Sequence, residues 1–263
     1  MTIRIGTRGS RLALAQTALV ADALRAQGVA AEIVVVHTRG DREADMPLAA
    51  IGRGAFTDIL SDMIARGELD AAVHSAKDLP TEAGRDDFFC LPRADARDAL
   101  VRREADEAVR RVGTGSLRRA AAVKTLFPQA EVLPVRGNVD TRLQKLRTGA
   151  FDALILAAAG LDRLGMDEKG LVVTRLSPEV CVPAACQGII AVEGACGEFI
   201  HDEETGRAAQ IERTLQRLLG GGCTNGVGAY FDGETLYAQK DGVIHSLRYT
   251  GAESIRALAE AFA

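Results

Sequence analysis

Three short turns combine glycine, a hydroxyl or amide side chain and arginine, residue types that together bind anions. They are Gly6-Thr7-Arg8-Gly9-Ser10, Gly113-Thr114-Gly115-Ser116-Leu117-Arg118-Arg119 and Arg136-Gly137-Asn138. Each lies where a β-like run gives way to a helical one, so free N–H groups of a helix start would meet a capping side chain and guanidinium groups. The turns therefore predict anion sites. The alternative is that they only connect strands to helices, with the arginines facing solvent.

The spacing of these glycines does not match a nucleotide site. The pattern G-x-x-x-x-G-K-[ST] is missing, and so is G-x-G-x-x-G followed by an acidic residue about 20 positions on. Several separate arginine forks suit carboxylates spread along one ligand better than a single triphosphate. The sequence therefore favours a ligand with several carboxylates.

Two further residues could take part in a reaction. Asp78 lies in His74-Ser75-Ala76-Lys77-Asp78-Leu79-Pro80, directly after a run of small and apolar residues. That position predicts the carboxyl end of a strand, where open α/β sheets bind ligands and where a carboxylate could stabilise a cation. Cys223 follows three glycines, which leave a thiol open to approach and make it a candidate nucleophile. A surface turn and an inert thiol are the alternatives.

Alternating strand-like and helix-like runs must position these residues. Strands are predicted at 3–7, 32–38 and 70–74, with helices at 10–25 and about 55–64. After a charged, linker-like segment at 93–97 the pattern restarts, with strands at 112–114, 131–135 and 152–156 and helices from 116 and 138. The alternation predicts mostly parallel sheets with helices on both faces. A helix at 204–219, short strands over 226–250 and a helix at 252–262 predict a small α+β appendage.

The distribution of charge is more informative than its total. The 263 residues have a net charge of −4, yet residues 113–150 hold seven basic and two acidic residues, which leaves −9 for the rest. The acidic remainder, 4% aromatic residues and no tryptophan argue against a nucleic-acid or anionic-membrane binder. Nucleic-acid binding through the basic segment is kept as a minor alternative.

Signals for export, membrane insertion and metal binding are missing. The N-terminus lacks a basic region followed by an apolar one, and the apolar run at 153–159 is far short of a membrane helix. The five cysteines form no C-x-x-C pair and the four histidines are scattered. We therefore expect a cytoplasmic protein with reduced thiols, no membrane contact and no metal.

Eight motifs in order along the chain resemble the porphobilinogen deaminase (hydroxymethylbilane synthase) family. They are T-R-G-S (7–10), T-R-G-D (38–41), D-A-A-V-H-S-A-K-D-L-P (70–80), G-T-G-S-L-R-R (113–119), V-R-G-N-V-D-T-R-L (135–143), L-A-A-A-G-L-D-R-L-G (156–165), P-A-A-C-Q-G (183–188) and G-G-G-C (220–223). The resemblance implies a transferase of porphyrin and haem biosynthesis. Such enzymes join four porphobilinogen units head to tail into hydroxymethylbilane, release ammonia at each step, and prime the chain on a covalent dipyrromethane cofactor.

The resemblance also assigns roles to residues. It implies that Cys223 carries dipyrromethane through a thioether and that Asp78 is the catalytic acid, which stabilises the azafulvenium cation left when ammonia departs. Positions that hold the cofactor match Ser75, Lys77, Thr114, Ser116, Arg118 and Arg119. Positions that bind substrate and growing chain match Arg8, Ser10, Arg136, Arg142 and Arg163, and positions of a loop near the cofactor match Arg53 and Phe56.

The fold implied by the resemblance is α/β, with two periplasmic-binding-protein-like lobes around a cleft and a small C-terminal α+β domain. We expect domain 1 at 1–94 and 183–201, domain 2 at 95–182, and a shortened domain 3 at 202–263, in a monomer. The sequence departs from the family pattern at Gly115, Ala50 and Cys186, where a serine, a basic residue and a glycine are usual. The missing hydroxyl at 115 removes a hydrogen bond worth about 1 kcal/mol.

A non-catalytic protein that uses the same bilobal cleft to bind a small anion is the competing interpretation. It predicts that Asp78 or Cys223 is dispensable, whereas an enzyme requires both. The presence of both residues favours the enzyme.

Overall fold

The computed structural model describes residues 2–36, 55–81, 86–105, 108–166, 168–221 and 225–263, with side chains in the second range from residue 57. Described strands are β1 (Ile3–Arg8), β2 (Ala31–Val36), β3 (Ala71–Ser75), β4 (Phe89–Cys90), β5 (Asp98–Arg103), β6 (Arg111–Gly113), β7 (Glu131–Leu133), β8 (Ala153–Ala157), β9 (Leu171–Arg175), β10 (Ile190–Glu193), β11 (Gly228–Phe231), β12 (Thr235–Lys240) and β13 (Val243–Arg248). Described α-helices are α1 (Arg11–Ala26), α2 (Ala55–Ala65), α3 (Leu117–Leu126), α4 (Val139–Arg147), α5 (Ala158–Leu164), α6 (Glu203–Leu218) and α7 (Ala252–Glu260). Two 3₁₀ segments, Ala76–Asp78 and Ala195–Ile200, complete the described elements.

The chain divides into two compact units, Met1–Ala94 with Ile189–Arg207 and Asp95–Gly188 with Ala208–Ala263. The first unit contains a five-stranded sheet in the order β2-β1-β3-β10-β4. α1 covers one face through Val20 and Leu24, and α2 covers the other through Leu60. β10 lies between β3 and β4, so the chain returns to this sheet after passing through the second unit.

The second unit repeats this arrangement in the order β7-β6-β8-β5-β9. Alternate residues of β8 face opposite ways: Leu154 packs in the cluster that includes α4, and Ile155 packs in the cluster that includes α3. This alternation is what a strand covered by helices on both faces requires. The predicted α/β class, with two sheet-and-helix lobes, is confirmed.

Both five-stranded sheets are mixed: in each, four strands run in one direction and one runs against them, so the sheets are mostly parallel as predicted, with one reversed strand that the sequence did not reveal. β1 pairs in parallel with β2 and β3, but β10 is antiparallel to β3 and β4. β6 likewise pairs in parallel with β7 and β8, while β5 is antiparallel to β8 and β9. The two reversed strands, β10 and β5, each follow a point where the chain passes from one unit to the other. Nothing in their local sequence indicates which strands they pair with.

The second unit also holds the small α+β appendage. β11, β12 and β13 form an antiparallel sheet. Leu236 of this sheet, Leu215 of α6 and Leu258 of α7 share one hydrophobic cluster. The appendage thus has a core of its own, while its separation as a third domain at 202–263 stays a prediction.

Candidate functional site

In the first unit, the carboxyl ends of β1 and β3 lie at one edge of the sheet. The two strands are parallel with Ile5 opposite Ala71, so Arg8 at the end of β1 and Ser75 at the end of β3 share this edge. Ser10 begins α1 as its N-cap, and its Oγ accepts the Ala13 N–H at 3.2 Å. The first glycine turn therefore ends in a capped helix start, as the sequence predicted.

The turn after β3 presents Lys77 and Asp78 at the same edge. A single 3₁₀ turn spans Ala76–Asp78, and its first N–H donates to the Ile189 carbonyl at 3.0 Å. Lys77 is half-buried and Asp78 is exposed. Behind the turn, the Ser75 hydroxyl bonds to the amide of Gln16, with Nε2 of Gln16 3.0 Å from Ser75 Oγ. Gln16 is buried on α1 and escaped the sequence analysis; its signal is a polar residue on the apolar face of that helix.

The strand below this turn contains a second buried polar group, His74. Its Nε2 lies 3.5 Å from Oε2 of Glu193 on β10. Ser61 of α2 donates its hydroxyl to the same oxygen at 2.8 Å. These contacts join β3, β10 and α2 underneath the exposed carboxylate of Asp78.

In the second unit, the turn after β6 leads into a capped helix start. Thr114 is buried, and its Oγ1 accepts the Ser116 N–H at 3.1 Å. Ser116 is the N-cap of α3. A Cβ at Gly113 would lie 2.6 Å from Leu154 Cδ2 and 2.9 Å from Phe151 Cδ1, so a larger residue there would displace these core side chains. At Gly115 the nearest atom to a Cβ, the Val135 carbonyl oxygen, is 3.5 Å away, so the serine usual in the family would fit.

Arg118 and Arg119 are buried and share one carboxylate, that of Asp98. Arg118 Nη1 donates to Asp98 Oδ2 at 2.5 Å, and Arg119 Nε donates to Asp98 Oδ1 at 2.9 Å. Arg118 also donates to the Val182 carbonyl at 2.5 Å, and Arg119 to that of Ile155 at 3.2 Å. Asp98 gave no signal in the sequence, because it adjoins the charged segment at 93–97 that predicts a linker.

Asp98, Arg118 and Arg119 together carry a net positive charge. Burial alone would raise the pKa of Asp98, but the charges of Arg118 and Arg119 outweigh it and hold that pKa well below its ordinary range. Two guanidinium groups against one carboxylate leave one positive charge in a buried environment. A ligand carboxylate would balance it.

The third turn presents two arginines near the start of α4. Arg136 is exposed, Gly137 has the positive φ of +106° that favours glycine, and Asn138 caps α4. The Asn138 side-chain oxygen accepts the Thr141 N–H at 2.9 Å. Arg142 donates Nε–H to the Gly137 carbonyl at 2.8 Å, which holds it beside the turn. Because β6, β7 and β8 run parallel, this turn and the start of α3 both lie at the edge of the sheet where these strands end.

Arg163, on α5 directly after β8, is a half-buried cation of a different kind. It donates Nη2–H to the Gly188 carbonyl at 2.5 Å. Within the part of the chain that the structure describes, no carboxylate forms a salt bridge with it. Burial lowers the pKa of Arg163 to about 10. A cation desolvated in this way is suited to bind an anion.

The predicted residues thus fall into two sets, one in each unit. Arg8, Ser10, Ser75, Lys77 and Asp78 follow the strand ends of the first sheet, and Thr114, Ser116, Arg118, Arg119, Arg136, Arg142 and Arg163 follow those of the second. Cys223, Arg53 and Ala50 lie outside the described residues, as does the side chain of Phe56. The roles assigned to all of these residues stay predictions.

The cysteines in the described ranges are all buried. They are Cys90, Cys181, Cys186 and Cys196, and burial raises the pKa of Cys90 and Cys181 to about 12. Among the described residues there is no group of three or more His, Cys, Asp or Glu that could hold a metal ion. No helix in those ranges is long and apolar enough to span a membrane.

Two solved structures share a distant similarity with this chain. The periplasmic VFT2 domain of Bordetella pertussis BvgS has a TM-score of 0.43 and 16% identity, covering 73% of this chain and 79% of that one. The substrate binding protein of an amino acid ABC transporter has a TM-score of 0.42 and 14% identity, with 79% and 92% covered. Scores this low have no bearing on function.

Sequence comparison is far more specific. The family described as "Porphobilinogen deaminase, dipyromethane cofactor binding domain" matches residues 3–199. A porphobilinogen deaminase of Roseiflexus castenholzii is 45% identical over 246 residues, covering 87% of this chain and 80% of the relative. One from Mycolicibacterium gilvum is 44% identical over 244 residues, with 86% and 77% covered. The chain therefore belongs to the porphobilinogen deaminase family, transferases of tetrapyrrole biosynthesis with a dipyrromethane cofactor.

Proposed function

We propose that the chain joins four porphobilinogen molecules head to tail into hydroxymethylbilane, primed on a dipyrromethane bound to Cys223 through a thioether. In each condensation the bond between the aminomethyl carbon and nitrogen breaks, ammonia leaves, and that carbon bonds to a pyrrole ring carbon that gives up a proton. Release of the four-ring product would break its bond to the primer, return a proton to the primer ring, and take the hydroxyl of the terminal hydroxymethyl group from water. The observation that carries the proposal is the contact of Gly226 with the start of α3.

Gly226 limits how far Cys223 can lie from the buried arginines. A Cβ at Gly226 would be 3.2 Å from Leu117 Cβ and 3.7 Å from the Arg118 backbone nitrogen. Three residues of chain span at most about 11 Å. A thioether at Cys223 is thus within reach of the Ser116–Arg119 helix start for a ligand of two pyrrole rings.

The described side chains fit the acidic side chains of dipyrromethane. Its acetate and propionate groups need cations and N–H donors, and the start of α3 supplies both, with one positive charge unbalanced beside Asp98. We assign cofactor binding to Ser75, Lys77, Thr114, Ser116, Arg118 and Arg119. When bound, the dipyrromethane supplies the two pyrrole rings from which the chain is extended.

Asp78 is assigned the stabilisation of positive charge on the substrate. Loss of ammonia leaves a cation at the reacting carbon and ring, and a fixed carboxylate nearby lowers the energy of the transition state that leads to it. Asp78 is exposed at the end of β3, where a ligand can approach it, and the contacts of Ala76 and Ser75 fix the turn that holds it.

The remaining arginines suit the carboxylates of the substrate and the growing chain. Every added ring brings two carboxylates, so a row of separate cations is needed rather than one cluster. We assign this binding to Arg8, Ser10, Arg136, Arg142 and Arg163, with Arg53 and Phe56 in a loop near the cofactor. We further propose a monomer whose partner is the small molecule porphobilinogen and not nucleic acid.

The test combines intact mass with turnover. Protein produced with porphobilinogen available should be heavier than the polypeptide by two pyrrole units under denaturing conditions and should colour with acidic Ehrlich reagent. Asp78→Asn should keep that mass and lose turnover by at least about 100-fold. Asp62→Asn, which removes an exposed carboxylate of α2 in the same unit, is the matched control and should retain both.

A bare polypeptide mass with no turnover would overturn the proposal and favour the anion-binding protein without catalysis. Full turnover by Asp78→Asn would overturn the role of Asp78.

A further inference from the structure

Asp98 is the common partner of the buried polar groups at the start of α3. Its side chain is fully buried. Oδ1 accepts from Arg119 Nε at 2.9 Å and from Gln187 Nε2 at 3.0 Å. Oδ2 accepts from Arg118 Nη1 at 2.5 Å and from the Cys181 thiol at 3.3 Å. One carboxylate therefore fixes two consecutive arginines, both of which we assign to cofactor binding.

Two buried glutamines hold this group in place. Gln187 donates Nε2–H to the Ala96 carbonyl at 2.8 Å, beside its bond to Asp98. Gln239 of β12 donates to the Arg118 carbonyl at 3.1 Å and accepts the Val182 N–H at 3.1 Å. The backbone of Arg118 and the carboxylate of Asp98 are thus tied to separate segments of the second unit, which restricts the two guanidinium groups to one arrangement.

The charge of Asp98 is as important as its hydrogen bonds. Without the Asp98 carboxylate, the two buried guanidinium groups would repel each other. No anion would then offset the cost of removing them from water. With two carboxylates the group would be neutral and would attract no anion. A single carboxylate keeps the arginines together and leaves one positive charge for a ligand.

We propose that Asp98 is a positioning residue for carboxylate recognition, which holds Arg118 and Arg119 in the geometry that binds the pyrrole ligand and leaves them with one surplus positive charge. The inference rests on the proposed function, because that function supplies the carboxylate ligand. Asp98 acts through the two arginines and need not touch the ligand.

A purely structural role is the alternative, and the same unit offers a matched control. Asp152 is also buried and pairs with Arg111 at 3.0 Å, while accepting the backbone N–H groups of Arg110 and Arg111. It bonds to no residue assigned to the site. Asp152→Asn removes a buried, arginine-paired carboxylate just as Asp98→Asn does.

The experiment measures kcat and KM per cofactor-bearing molecule, with the bound fraction taken from the denatured intact mass, together with the thermal unfolding midpoint. Asp98→Asn should lower kcat by about 10- to 100-fold, because small displacements of positioning groups cost that much. Asp98→Glu keeps the charge but moves it by one methylene, so its kcat should lie between those of Asp98→Asn and wild type. Asp152→Asn should lower only the unfolding midpoint.

A double mutant tests whether Asp98 affects kcat through Arg119 or in some other way. If Asp98 works through Arg119, adding Asp98→Asn to Arg119→Gln should change kcat by less than about twofold, since the two losses overlap. Wild-type kcat per cofactor-bearing molecule in both Asp98 variants would overturn the inference alone. Should Asp98→Asn not fold, a wild-type kcat for Asp98→Glu overturns it by itself. A wild-type protein without cofactor or turnover would instead overturn the proposed function and this inference with it.

Discussion

Replacing Arg163 by methionine should make the protein more stable and less able to bind its substrate. Methionine keeps most of the length and apolar volume of the side chain and removes the guanidinium. The described structure offers that guanidinium one backbone acceptor, the Gly188 carbonyl, and no paired carboxylate. The folded protein therefore bears the cost of a desolvated charge at this position.

The size of the effect follows from the pKa of Arg163. Burial lowers it from its ordinary value to about 10. At about 1.4 kcal/mol for each tenfold change in proton affinity, that shift amounts to about 3 kcal/mol of destabilisation. Loss of the charge-assisted hydrogen bond to Gly188 offsets about 1.5 kcal/mol. Arg163→Met should thus raise the free energy of unfolding by about 1–2 kcal/mol, or the midpoint by about 2–8 °C for a chain of this size.

The same substitution should weaken catalysis. A charge-assisted contact to a substrate carboxylate contributes about 2–3 kcal/mol, so kcat/KM for porphobilinogen should fall by about 30- to 150-fold. Urea unfolding followed by circular dichroism measures the stability, and ammonia release measures turnover. Arg111→Met is the control, because Arg111 pairs with Asp152 at the amino end of β6. It should lose about 1 kcal/mol of stability and keep its kcat/KM.

The pH dependence of stability provides a second test that desolvation of Arg163 causes the difference between wild type and Arg163→Met. Because the folded pKa of Arg163 is lowered, the folded protein releases this proton near pH 10. The unfolded chain still holds the proton at that pH. Above it, the free energy of unfolding of the wild type therefore rises relative to that of Arg163→Met. The difference between the two proteins should therefore narrow from about pH 9 to about pH 11. A variant less stable than wild type by 1 kcal/mol or more would refute the desolvation argument.

Three further predictions concern the elements that hold the site. Asn138→Ala should lower stability by about 1 kcal/mol in urea unfolding, because it removes the cap of α4. Gly113→Ala should lower it by about 1–3 kcal/mol, because the new methyl group would lie 2.6 Å from Leu154 Cδ2; a thermal midpoint within 1 °C of wild type would contradict this packing requirement. The hydrogen bonds and charge of Arg4 lower the pKa of Asp70 to about 2, so stability that Asp70 contributes above about pH 4 should be lost between about pH 4 and about pH 2. The deficit of Asp70→Asn relative to wild type should shrink over that range of acid unfolding.

The local parts of the site could be predicted because short-range rules determine them. A hydroxyl or amide residue before an apolar helical period marks a helix start, and Ser10, Ser116 and Asn138 each cap a helix where the sequence predicted one. The position of Lys77 and Asp78 after a strand follows equally from the apolar run before them. These signals lie within a few residues of the groups they position.

The pairing of distant segments could not be predicted in this way. β10 joins β3 although more than one hundred residues separate them, and nothing in the four residues of β10 specifies that partner. The burial of Asp98 has the same origin. Its neighbours at 93–97 are charged, and only the strand pairing of β5 with β8 and β9 carries it into the interior of the second unit.

This difference changes how an arginine-rich sequence should be interpreted. Counted in the sequence, Arg118, Arg119 and Arg163 are three equivalent cations. In the structure, Asp98 balances one of the first two, whereas no described carboxylate forms a salt bridge with Arg163. Since an anion gains most where a buried positive charge is unbalanced, the ligand carboxylates should depend on two charges here rather than three. The number of ligand carboxylates that these arginines can bind is therefore set by the buried Asp98 as much as by the arginines themselves.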